Sequence, residues 1–102
     1  MLTHHERMTE DGNVINSVVL YGSYARRTQD GESDIDLAIF VKHKPPREVT
    51  NRMIDCVARY ELEIGKVLST IEVESERYHQ WKNYLPFYRN IEKEGIVLWK
   101  NV

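Results

Sequence analysis

The sequence predicts an α/β domain of the α+β two-layer kind, a mixed β-sheet packed on helices. Three observations carry this. Two apolar, β-branched runs, residues 13–21 and 33–41, flank a polar stretch that opens on Gly-Ser. The segment from Arg47 to Ile64 repeats its apolar residues at the helical period. After it, short apolar runs alternate with helix-start and helix-stop signals, the pattern of strands and helices packed together. The 102 residues, 1–102, are expected to form a single domain. Its one modest core would bury roughly two-thirds of the unfolded surface.

Each element has its own warrant. "NVINSVVLY" (13–21) is β-branched and stops at Gly22, so it reads as a buried strand. "SYARR" supplies helix formers behind Ser23, which is placed to cap a short helix. "SDIDLAIFV" (33–41) alternates: Ile35, Leu37, Ile39 and Val41 share one face, and Asp34, Asp36, Ala38 and Phe40 the other. "KHKPP" ends that strand, because proline cannot continue a ladder. The next helix carries Met53, Val57, Tyr60 and Ile64 on one stripe and ends before Gly65. "KVLSTIEV" (66–73) reads as a third strand. Ser75 is an N-cap candidate for a helix through Trp81, and Pro86 suits the first turn of "PFYRNIEKE", closed by Gly95. "IVLW" (96–99) completes the order as a short strand, and the polar first dozen residues form a short helix or a frayed end.

Composition narrows the function classes. With 41% hydrophobic and 29% charged residues, this is the makeup of a soluble globular domain. A net charge of −2 provides no basic field for a nucleic-acid backbone, which disfavours a polymerase or nuclease. No apolar run has the length of a membrane span, and "MLTHHERMTEDG" has no apolar signal core. The lone Cys56 cannot form an intrachain disulfide, which fits a cytoplasmic location, and is expected to pack within its helix. His4, His5, His43 and His79 have no zinc-site spacing.

The chemistry concentrates in "GSYARRTQDGESDID" (22–36). Asp34 and Asp36 lie two residues apart on a strand, so both carboxylates face one way and repel. A divalent cation such as Mg²⁺ relieves that repulsion, takes oxygen ligands and shares them with substrate phosphates. Gly22 allows a phosphate to approach the backbone closely, and the helix start at Ser23 offers N–H groups without internal partners. Together the two halves describe a triphosphate at one strand end and its metal on the neighbouring strand. Nucleotidyl or phosphoryl transfer needs that arrangement.

Gly22-Ser23, ten residues (24–33), then Asp34-Ile35-Asp36 resembles the signature of the polymerase β-like nucleotidyltransferase superfamily, in its minimal nucleotidyltransferase branch. "LYGSYAR", "SDIDLAIF" and "LPFYRNIEKEGIVLW" are also similar to family segments, so the resemblance extends over nearly the whole chain. It implies a nucleotidyltransferase fold that binds ATP or another NTP with Mg²⁺, two ions when the nucleotide is present. Gly22 and Ser23 would hold the phosphates, and Asp34 and Asp36 would be the catalytic metal ligands. Arg26, which matches the family's arginine, would contact phosphate or brace the loop through a carboxylate. The implied activity is transfer of a nucleoside monophosphate, AMP from ATP, to an acceptor. A tyrosine of a HEPN-type toxin partner is one such acceptor, with this chain as the antitoxin. The alternative is a catalytically weak nucleotide-binding or antitoxin-type protein-binding module.

Three departures from the family pattern matter, and the last two favour that alternative. Arg27 stands where a glycine is common, at most about a dozen residues precede the first strand, and the third carboxylate is not evident. Its aligned position falls near Ser69. Parity on 66–73 groups Val67, Ser69, Ile71 and Val73 against Leu68, Thr70 and Glu72. The first set is the more apolar, so Glu72 is expected on the aspartates' face, as a general base or third ligand. Asp30, Gly31 and Glu32 read as turn residues. The aromatic C-terminal third (Tyr78, Trp81, Tyr84, Phe87, Tyr88) exceeds what a small core can bury, leaving a partner surface for a toxin or a second copy in a homodimer.

Overall fold

The computed structural model describes residues 14–101. The polar N-terminal dozen, with His4 and His5, lies outside them. The expected order of elements is found: β1 (Ile15–Tyr21), α1 (Ser23–Arg26), β2 (Ile35–Val41), α2 (Arg47–Ile64), β3 (Leu68–Glu74), α3 (Ser75–Trp81), α4 (Pro86–Glu94) and β4 (Ile96–Lys100). The strands form one mixed sheet in the order β3-β2-β1-β4. β1 is antiparallel to both of its neighbours, whereas β2 and β3 are parallel and need the crossover that α2 provides.

Alternation on β2 fixes what lies on each face. Ala38 and Phe40 join Val19 of β1, Val73 of β3, Tyr78 of α3 and Ile91 of α4 in one buried cluster. Ile39 and Val41 face the other way, with Val14, and Met53 of α2 packs on them. β2 is therefore buried on both sides through its second half, as a central strand of continuous apolar residues should be. Phe40 and Tyr78 meet edge to face, with centroids 4.7 Å apart.

The helix ends follow local chemistry. Gly65 caps α2 in the left-handed conformation (φ 68°) and its N–H donates to the Glu61 carbonyl, as its placement predicts. Pro86 occupies the first turn of α4, where a missing N–H costs nothing. Ser75 was expected to cap α3; instead Glu74 occupies that position without a side-chain cap bond. The Ser75 hydroxyl accepts from Asn16 Nδ2 at 2.6 Å, which ties α3 to the start of β1. At Gly95 the backbone of Ile91 and the Val19 side chain leave no room for a Cβ, so glycine there permits close helix–strand approach.

Candidate functional site

The site forms where β1 ends and β2 begins. Gly22 follows the last residue of β1 with φ 76° and ψ −155°, a conformation natural to glycine. A Cβ at this position would also run into the Asp36 carboxylate. The two halves of the motif, ten residues apart in sequence, are therefore packed against each other. The antiparallel register explains why, since it sets Tyr21, the residue before the glycine, opposite Asp36.

Gly22, not Ser23, is the N-cap of the one-turn helix α1, and no side chain caps it. Ser23 lies in the first turn, half-buried, and its carbonyl accepts from the Thr28 backbone N–H at 2.9 Å. Arg27 closes the turn in the left-handed conformation (φ 59°). A glycine would hold that backbone at lower cost. The spacer is a self-bonded turn. Asp30 Oδ1 accepts from the Glu32 N–H at 2.9 Å, and the Ser33 hydroxyl accepts from the Asp30 N–H at 3.0 Å. The Glu32 bond, then those from Ser33, hold the Asp30 carboxyl below its usual range, so Asp30 serves the turn.

Asp34 is exposed just before β2, and Asp36 is half-buried within it. Partial burial, then the like charge of Asp34, push the Asp36 carboxyl above its usual range; the Arg26 guanidinium opposes that shift. Burial and the Asp36 charge likewise raise the Tyr21 phenol. Arg26 reaches from α1 to the last residue of α4: Nη1 donates to both carboxylate oxygens of Glu94, at 3.1 and 3.2 Å. The carboxylate brace expected for Arg26 is present. Its partner escaped sequence reasoning, because 68 residues separate the two.

Glu72 is the correction. The parallel register sets Ser69 beside Asp36 and Glu72 beside Ile39, which puts Glu72 on the opposite face from the aspartates. There it borders a groove under α2 with Met53, Val57 and Thr70. The aspartates' face is polar only at its end; further along it carries Ala38 and Phe40, matched on β3 by Ile71 and Val73. Apolar content therefore misassigned the face, and register assigns it. Cys56, expected to pack, is exposed on α2.

Asp36 on β2 and Asp34 just before the strand, one carboxyl shifted by the other's charge, are a donor set of hard oxygens that suits Mg²⁺ together with substrate phosphates. Among the described residues no group of three or more His, Cys, Asp or Glu side chains could hold a metal ion. A bound cation would draw its remaining ligands from nucleotide and water.

The model of the family described as "Polymerase beta, Nucleotidyltransferase" matches residues 6–101. The chain belongs to the polymerase β nucleotidyltransferase family. Two relatives come from Methanocaldococcus jannaschii. "Putative protein adenylyltransferase MJ0604" is 37% identical over 86 residues, 83% of this chain and 79% of that protein. "Putative protein adenylyltransferase MJ0141" is 39% identical over 57 residues, 56% of this chain. The match spans 58% of that relative's length. These names and the family agree with the expectation of an adenylyltransferase-type enzyme. A solved toxin–antitoxin structure with AMP-PNP shares the fold at a TM-score of 0.56 and 14% identity, over 96% of this chain and 74% of that one. A mutant of the toxin–antitoxin MntA-HpeT aligns with a TM-score of 0.59 at 14% identity, over 97% and 74%. The mixed sheet is thus that of nucleotidyltransferase-fold proteins. Among the described residues, no helix is long and apolar enough to cross a membrane.

Proposed function

We propose that this chain is a Mg²⁺-dependent nucleotidyltransferase that moves AMP from ATP to a hydroxyl of a protein acceptor, a tyrosine of a HEPN-type toxin partner. The packing of Gly22 against Asp36 carries the reading, because it brings the Gly-Ser turn against the second aspartate of the pair. The relatives' adenylyltransferase names support the reaction, and the toxin–antitoxin neighbours support the kind of partner. Gly22 and Ser23 would receive the phosphates at backbone N–H groups and the Ser23 hydroxyl. Asp34 and Asp36 would hold the cation, which when bound neutralises charge on the transferred phosphoryl and the leaving pyrophosphate. In the transfer, the acceptor oxygen bonds to the α-phosphorus as the bond from that phosphorus to the β-phosphate's bridging oxygen breaks. Pyrophosphate departs and the acceptor proton leaves to water, Ser69 being no base.

The test is transfer of labelled AMP to the co-encoded partner by the native protein and by Asp36→Asn. Label should pass only with the native aspartate; equal labelling would remove the aspartates from the mechanism. Ser69 beside Asp36 favours a second reading, a nucleotide-binding or antitoxin-type module that neutralises its partner by covering it. That reading expects partner binding without label transfer from either protein.

A further inference from the structure

We infer that Glu94 is a positioning residue for the nucleotide's phosphates, acting through Arg26; the inference rests on the site reading above. Three observations meet here. Glu94 ends α4, some distance along the chain from the motif, yet its carboxylate is largely sheltered, with side-chain exposure of 20% against 50% for Arg26. Both of its oxygens accept from one nitrogen of Arg26, Nη1. And Arg26 ends the one-turn helix α1, its backbone N–H bonded to the carbonyl of Gly22, the residue packed against Asp36.

The one-sided attachment is informative. A guanidinium carries five N–H donors, and a carboxylate that neutralised it fully would engage two of its nitrogens side by side. Here the Glu94 carboxylate engages Nη1 alone, so it leaves the edge formed by Nη2 and Nε unengaged. The sheltered Glu94 holds the flexible arginine while leaving that edge for an anion. An unheld arginine would have to be ordered when the triphosphate binds, and the complex would be weaker by that ordering cost. Glu94 therefore makes α4 part of the phosphate site without touching the nucleotide. The ligand group addressed is the β,γ-diphosphate of an NTP, which a nucleoside monophosphate lacks.

The experiment is calorimetric titration of the full chain with Mg·ATP and with Mg·AMP, alongside thermal melting. Glu94→Gln should weaken Mg·ATP by about 2- to 10-fold and leave Mg·AMP unchanged. Glu94→Asp, which keeps the charge, should recover part of the loss. The exchange Arg26→Glu with Glu94→Arg should restore the melting temperature lost in Glu94→Gln without restoring Mg·ATP affinity. A purely structural ion pair would instead lower the melting temperature in Glu94→Gln and leave Mg·ATP affinity unchanged. Unchanged Mg·ATP affinity in Glu94→Gln, or full recovery in the exchange, overturns the inference and leaves the site reading standing. Absence of Mg·ATP binding by the native chain overturns the site reading, and this inference with it.

Discussion

Asp36 shows most directly the tension between chemistry and stability. Its carboxyl is held above the usual range by burial and by Asp34, so the fold resists the charge that the proposed metal binding requires. A raised carboxyl binds more protons in the folded than in the unfolded chain. The fold is therefore penalised as the pH rises from the unfolded value through the folded one, and the penalty is complete above both. Asp36→Asn removes the charge, so it should raise the melting temperature at pH 7. The gain should vanish at about pH 3.5, where the native side chain is largely protonated. Thermal melts at the two pH values check this, and a variant less stable than native at pH 7 would contradict it. Gly22 belongs to the same compromise, since both its positive φ and the neighbouring carboxylate exclude a side chain.

Elements were more legible than their neighbours. The bounds of α2, the alternation on β2 and the proline at the start of α4 are local properties, and they hold. β2 and β3 begin two residues later than the apolar patterns suggest, because pairing starts only where Ile35 N–H donates to the Val67 carbonyl. The face occupied by Glu72 was not legible. It depends on the register of β3 against β2, and both faces of β2 are covered, so hydropathy does not distinguish them. The Arg26–Glu94 pair was hidden for a related reason: only tertiary packing brings α4 to α1. Another cross-element bond can be weighed. Tyr78 O–H of α3 donates to Glu92 of α4 at 2.5 Å, and Lys82 also reaches that carboxylate at 3.4 Å. Burial, then the Glu92 bond, raise the Tyr78 phenol strongly, while the same bond holds Glu92 below its usual range. Tyr78→Phe keeps the ring and deletes the bond, so it should cost about 1–2 kcal/mol in chemical denaturation. A loss below about 0.3 kcal/mol would show the bond to be dispensable.

At the scale of the molecule, the core is small and much apolar surface remains open. Leu62 is 86% exposed and Tyr84 72%, and the whole of β4 is exposed along the edge of the sheet. The expected aromatic excess divides accordingly, with Tyr78 buried, Tyr88 against the core, and Trp81, Tyr84 and Phe87 outside. Such surface should contribute little to folding. Leu62→Gln should change the unfolding free energy by at most about 0.5 kcal/mol, and a larger loss would mean that this helix end is covered in solution. The chain order of the pieces around β1 also bears on how the protein assembles. β1 and β2 form an antiparallel pair from neighbouring segments, so Gly22 and Asp36 can meet through short-range contacts early in folding. The other edge of β1 waits for β4, and Arg26 waits for a carboxylate 68 residues away, a loop closure that is slow on entropic grounds. The aspartate end of the site is thus a product of the first hairpin, and the arginine is fastened only when the last helix docks, so kinetic arrest between the two steps would leave a half-built cradle.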